Sequence, residues 1–466
     1  MKRIVVGALA LALVPVAAGA WETESTHLGL TEQAAVSSGV HLRLQVGYGR
    51  RLGWLEPLVV APAAFAELYR RLETVPPSSG TRPDNRGRQT ALGWLRAGAL
   101  LEGIPAARNR NHFYDPVHKT GLTGKGAGGL GEFAWETVAG GGLPGQGMAA
   151  PDWIAAKDNE LGIDRFWLEL ERAATAPLPA DRDQHLALAL MCAGAMLHVL
   201  EDMGFPANAR DDLREYLSRV GDTGADRGSR TARLATFLYG VLGVPAAGKI
   251  ERREKLRAFF TADDGTGLAD VTASRWYSGG TLPAEVHKVP PDASPADVVA
   301  RVKEAQSFAS PAPRELFLKR AAGDDGATLR AGGVCLAVYR LRDDRLSFSL
   351  PDECVAEQLT AILPVVGGYA TGMLDWLFRG QLEVTVRGGT AVVTAPGLRL
   401  GKGTLTVLVE DAQGTRRPAG ESVAGSGDEI GHATVPAGGA KVVAVFVGVD
   451  AAGERIVAVG EREVGR

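Results

Sequence analysis

The stretch LALALMCAGAMLHVLEDMGFPANARDD, residues 186–212, decides how the rest of the chain is read. Its first half is apolar on every side: Leu186, Leu188, Leu190, Met191, Ala193, Ala195, Met196 and Leu197 leave no polar face for solvent. A helix of that kind is a buried one. His198 and Asp202 stand four residues apart near its end and so project from one face. An imidazole and a carboxylate inside a core need partners. Two arrangements satisfy them. One is a His–Asp hydrogen bond closing the helix end. The other is a metal ion, for which neutral imidazole nitrogen and carboxylate oxygen are ordinary ligands.

Two further segments bring the residue types a metal uses. In RNRNHFYDPVHKTGL, His112, Asp115 and His118 crowd a loop bounded by Pro and Gly. At the N-terminus, Lys2 and Arg3 precede the apolar run IVVGALALALVPVA and the small residues Ala18-Gly19-Ala20. That pattern reads as a secretory signal peptide over residues 1–20, its apolar run too short to cross a membrane. Cleavage after Ala20 leaves Trp21 as the first mature residue, with His27 close behind in WETESTHLGL. A free α-amino group titrates near pH 8, so it is available to a metal close to neutrality.

Four segments in this order, Trp21 with His27, GWLRAGALLEG (93–103), NHFYDP (111–116) and LHVLEDMGFPA (197–207), resemble the secreted zinc-dependent phospholipases C and the related single-strand nucleases. The resemblance runs from about Trp21 to Arg379. It implies a mainly α fold, a zinc cluster between helices and hydrolysis of phosphate diesters. Residue by residue, it implies one site from Trp21 (amine and carbonyl), His27 and Asp202. It implies a second from His112, His198 and the bridging Asp202. The family's carboxylate for this second site falls on Gly103. Glu102 is adjacent, but neighbouring helical residues point about 100° apart, so it does not replace the missing group automatically. The family's third set finds Asn208, Thr231 and Ala232 where His and Glu are expected, with Asp211, Asp212, Glu215 and Asp226 as nearby carboxylates. The expectation is therefore one or two zinc ions rather than three. The leading function is a phospholipase C-like hydrolase acting on a phospholipid or other phosphodiester, with a membrane surface as its setting. The alternatives are a degenerate member that binds without turnover and a single-strand nuclease.

Composition fits an exported globular protein. The chain has 466 residues, 45% hydrophobic and 23% charged, with a net charge of −3, which gives no bulk electrostatic case for nucleic acid. A secreted or periplasmic location follows from the leader. Of three cysteines, Cys335 and Cys354 flank VYRLRDDRLSFSLPDE and are placed to close a small loop, whereas Cys192 lies in the apolar helix as a buried thiol.

Residues 21–379 read as one helical domain, with periodic apolar spacing at Ala63–Glu73, Gln89–Leu101, Ile163–Ala174, Gln184–Asp202, Thr231–Leu242 and Val355–Leu377. GLTGKGAGGLGEF contains a formal GxGxxG (Gly124, Gly126, Gly129), but no strand precedes it; it reads as a loop near the metal, a lid candidate. Residues 381–466 change character to short alternating runs such as QLEVTVRGG and AKVVAVFVGVDAAG, separated by turns. They predict a small antiparallel sandwich resembling an immunoglobulin-like module. Asp428 and Glu429 alone do not make a calcium site there, and the module reads as a packing unit. His41, His185, His287 and His432 have no partner spacing and read as ordinary histidines.

Overall fold

A computed structural model describes residues 23–73, 75, 79–123, 146–216, 234–236, 238, 247–282, 286–287, 294, 317–320, 326–342, 345–419, 423–424, 429–436 and 438–464. Residues 1–20 (read as a leader), Trp21, the Gly-rich stretch at 124–145, Asp226, Thr231 and Ala232 lie outside the described residues.

Among the described residues, the longest helices of the first part of the chain are α1 (Leu28–Ser37), α2 (Val40–Tyr48), α3 (Ala91–Glu102), α4 (Ile163–Thr175), α5 (Pro179–Asp202) and α6 (Asp352–Leu377). The central one is α5. It is long and apolar enough to cross a membrane, yet most of it is buried inside the fold, against α3, α4 and α6. Its start lies earlier than the apolar pattern predicts, because Pro179 occupies the first turn, where a missing N–H costs nothing. Thr90 caps α3, its hydroxyl accepting a hydrogen bond from the Gly93 N–H at 3.0 Å. Residues 234–236 and 238 are helical, in line with the apolar pattern predicted over 231–242.

The approach of α3 to α5 sets the geometry of everything near His198. A Cβ on Gly98 would lie 1.9 Å from the Met191 carbonyl oxygen, and one on Gly194 would lie 1.9 Å from that of Leu95. The two backbones therefore touch at a pair of reciprocal glycines. That contact brings the Ala99 carbonyl to 2.6 Å from His198 Nδ1.

The part of the chain read as helical from the sequence also holds strands. Two short strands, β1 (Pro57–Val59) and β2 (Arg88–Thr90), pair antiparallel. A five-stranded antiparallel sheet lies between the helical segments, in the order β3-β7-β6-β5-β4, from β3 (Val286–His287), β4 (Phe317–Arg320), β5 (Gly326–Ala331), β6 (Val334–Arg342) and β7 (Arg345–Ser349). Cys335, Leu336 and Ala337 are all buried in β6, so that strand lacks the clean alternation by which a half-exposed strand is recognised. Cys335 is joined to Cys354 of α6 by a disulfide, tying this sheet to the helical core, and Cys192 is a buried free thiol.

The C-terminal part is a pair of antiparallel sheets. One has the order β11-β10-β14-β15, from β10 (Leu400–Glu410), β11 (Arg416–Pro418), β14 (Lys441–Asp450) and β15 (Arg455–Glu463). The other has the order β12-β13-β9-β8, from β8 (Glu383–Arg387), β9 (Thr390–Thr394), β12 (Val423–Ala424) and β13 (Glu429–Thr434). The first sheet is a middle layer. Val443, Val445, Val457 and Val459 join the helical core, while Val442, Ala444, Phe446, Ile456 and Ala458 pack against the second sheet. Burial on both faces explains why β14 is apolar without alternation over Val442–Phe446. Polar ties reinforce the joint: Arg379 pairs with Asp450 at 2.7 Å and stacks on Trp376, and Arg182 reaches Glu410 at 3.3 Å.

The glycine contact is directly testable. Gly194→Val drives a side chain into the Leu95 carbonyl, and overpacking of this kind costs about 1–3 kcal/mol or more. Urea unfolding should show a loss of at least about 2 kcal/mol, and unchanged stability would mean that the two helices are not in backbone contact.

Candidate functional site

Four of the sequence-predicted residues meet at the end of α5. His198 and Asp202 come from that helix. His27 closes the helical turn Thr23–His27 just before α1, and His112 follows the short 3-10 segment Ala106–Asn111. All four are buried, with at most 1% of their surface exposed. The Asp202 carboxylate is the hub. His112 Nδ1 lies 2.8 Å from its Oδ2, His198 Nε2 lies 3.5 Å from the same oxygen, and His27 Nε2 lies 3.1 Å from Oδ1. The rings of His27 and His198 stack with centroids 3.7 Å apart.

Partners on the far side of each ring fix which nitrogen faces the hub. Nδ1 of His198 donates to the Ala99 carbonyl, which leaves Nε2 as the lone-pair nitrogen. Nδ1 of His27 is 2.7 Å from Glu201 Oε2, and Thr31 Oγ1 donates to Glu201 Oε1 at 3.0 Å. Glu201 is the residue that spacing alone did not single out; its signal was a second carboxylate at the buried end of an apolar helix. His27 Nε2 and Asp202 Oδ1 are close but misaligned for a hydrogen bond. Those two atoms and His198 Nε2 are buried without a hydrogen-bond partner. Buried polar atoms are rarely left so.

The electrostatics express the same competition. Burial opposes charge on His27, but Asp202 and Glu201 outweigh it and hold its pKa up at about 9. Burial, reinforced by the neighbouring His27, pushes His198 down to about 4. Burial also works against a charge on Asp202, yet His27 and His198 keep it well below the usual carboxylate range. Glu201 is lifted by burial to about 7.

One ion suits the orphaned atoms. His27, His198 and Asp202 each offer a donor, and the three donors lie within 4.8 Å of one another. Ligands about 2.0–2.1 Å from a tetrahedral zinc stand about 3.3 Å apart, so an ion requires only a contraction of this group. Two imidazoles and a carboxylate are also the donor types that zinc prefers.

The positions expected to carry further ligands are otherwise employed. Gly103 ends α3 as its C-cap. Asn208 Nδ2 donates to the His112 carbonyl at 2.7 Å and the Asn208 main-chain carbonyl accepts from the Tyr114 N–H, so the residue pins the His112 loop. Asp211 holds Thr123, and Asp212 accepts from the Ser278 hydroxyl and the Gly280 and Glu215 N–H groups. Asp115 and His118 pair with each other at 2.6 Å, His118 being two-thirds exposed. His185 is likewise paired, with buried Glu169.

No protein-family profile matches the chain, and no curated protein matches it. Among solved structures, alpha toxin from Clostridium absonum aligns over 95% of this chain and 95% of its own, at 10% identity and a TM-score of 0.27. The disulfide is of the kind that persists in oxidising compartments.

Two outcomes follow from the donor set. His27 must lose a proton before its Nε2 can bind an ion, so zinc affinity should rise about tenfold per pH unit between pH 6 and 8, toward the His27 pKa of about 9. A flat profile in competition titrations with a chromogenic chelator would contradict this. Asp202→Asn should weaken zinc binding by at least about 100-fold, more than an outer partner would; retained affinity in the same titration would remove Asp202 from the set.

Proposed function

We propose that this protein is an exported zinc-dependent hydrolase of phosphate diesters, phospholipase C-like, acting on a phospholipid or related phosphodiester at a membrane surface. The observation that carries the metal is the meeting of His27 Nε2, His198 Nε2 and Asp202 Oδ1, buried and without hydrogen bonds, beneath Asp202 as hub. Both histidines have their Nδ1 held by acceptors, Glu201 and the Ala99 carbonyl, the outer pattern that orients metal-binding imidazoles. The substrate class comes from the resemblance of the four sequence segments. The signal-like leader and Trp21 belong to the same reading, in which cleavage after Ala20 would free an amine on Trp21 as a further donor.

Zinc, when bound, supplies a Lewis acid that polarises a phosphoryl oxygen and lowers the pKa of water. The chain's own residues do the positioning. Glu201 and Ala99 fix the two tautomers, and Thr31 holds Glu201 in place. His112 steadies the far oxygen of Asp202. Two histidines and one carboxylate are the three-ligand pattern of catalytic zinc, which keeps a coordination position for water or substrate.

A second reading has its own support. The donors are at most 1% exposed, and a closed centre is the mark of structural zinc. On that reading the protein binds rather than turns over. The experiment that separates them is hydrolysis of a choline phospholipid by the zinc-loaded exported chain. The hydrolase reading expects turnover that a chelator abolishes and that His198→Ala reduces by at least about 100-fold. Zinc-loaded, folded protein with no turnover of phospholipid would leave the structural centre. Turnover of single-stranded nucleic acid alone would move the substrate class.

A further inference from the structure

His112 presents a different environment from His27 and His198. Its Nδ1 is spent on Asp202 Oδ2 at 2.8 Å, and its Nε2 faces Glu102 Oε1 at 3.3 Å. Neither nitrogen is left over. Glu102 is equally occupied. Its Oε1 also accepts from the Trp153 indole N–H at 2.8 Å, and its Oε2 accepts from Arg108 Nη2 at 2.6 Å.

Arg108 is itself built in. Its Nε donates to the Glu102 main-chain carbonyl at 3.2 Å, at the C-terminal end of α3, where a cation is favoured by the helix dipole. Its Nη2 also donates to Asn159 Oδ1 at 2.9 Å, and the guanidinium lies 5.0 Å from the Trp153 ring centroid. Burial opposes a charge on Glu102, yet Arg108 and His112 hold its pKa at about 2. A row of alternating charge thus runs Asp202, His112, Glu102, Arg108, every member at most 11% exposed.

We propose that this centre is built for a single ion, and that Arg108, acting through Glu102, supplies the positive charge that a second metal cation would bring to the His112 side of Asp202. The inference rests on the zinc reading above and narrows it. A divalent ion placed between His112 and Glu102 would have to displace the indole N–H and one imidazole bond. It would then share its carboxylate with a guanidinium already seated on the other oxygen, and like charges so close repel strongly at low dielectric. Among the imidazole and carboxylate atoms of this cluster, those buried without a hydrogen bond are His27 Nε2, His198 Nε2 and Asp202 Oδ1, none of them on His112 or Glu102. Glu102 and Arg108 are therefore positioning residues: they hold His112, which holds Asp202.

The test is metal stoichiometry of the full exported chain, dialysed to equilibrium against zinc chloride and measured by elemental analysis. The wild-type chain should hold one zinc. Arg108→Met, which strips the guanidinium from Glu102, should hold two, and Arg108→Met with Glu102→Gln should return to one, because the new site needs that carboxylate. Arg108→Lys, keeping a cation, should stay at one. Two ions in the wild type overturn the single-ion centre while leaving the zinc reading intact. No ion in the wild type overturns both. Where Arg108→Met does not fold, the wild type and Arg108→Lys decide, two ions in either being fatal. A folded Arg108→Met that stays at one ion overturns the role given to Arg108.

Discussion

A carboxylate at the buried end of a largely apolar helix cannot keep its charge unless cations or donors are brought to it, and the arrangement around Asp202 follows from that demand. Three imidazoles surround it, from an N-terminal turn, a loop and the same helix. Each is oriented from behind by a group on an element other than its own: Glu201 of α5 for His27, the Ala99 carbonyl of α3 for His198 and Glu102 of α3 for His112. The two glycines at which α3 and α5 touch make one of these links short enough to work. Packing and electrostatics are therefore not separable here, since the helix contact that excludes water also sets the tautomer of His198.

The same economy governs the C-terminal sheets. A sheet that packs on one side only must alternate, but β14 and β15 are covered on both faces, by the helices and by the second sheet. The middle layer thereby belongs to two cores at once. Ion pairs at the seam, such as Arg379 with Asp450, are largely shielded from water and sit beside aromatic rings, so they fix the angle of the joint as well as its charge balance.

Much of this is legible in the chain, for reasons that differ from residue to residue. His198 and Asp202 were readable because helical periodicity puts them on one face of a helix whose preceding residues, Leu186 to Leu197, are apolar all round. His27 and His112 carry no such local signal and came through the resemblance of their surrounding segments. Glu102 was discounted on the direction of adjacent helical side chains, yet it lies at the last turn of α3, where its flexible side chain reaches His112 and Arg108. Glu201 was not weighed from the sequence: next to Asp202, it faces away toward His27 Nδ1 and Thr31. The five-stranded sheet was missed because burial on consecutive residues erases alternation. The predicted role of Trp21 falls on a residue outside those described.

The central claim is that His27, His198 and Asp202 share one buried zinc. Zinc K-edge X-ray absorption on the zinc-loaded chain reads the ligands directly. The account predicts a low-coordinate shell of nitrogen and oxygen at about 2.0–2.1 Å with outer-shell scattering from two imidazoles. That imidazole scattering should fall by half in His27→Ala. A sulfur shell near about 2.3 Å, or a spectrum without imidazole scattering, would contradict it.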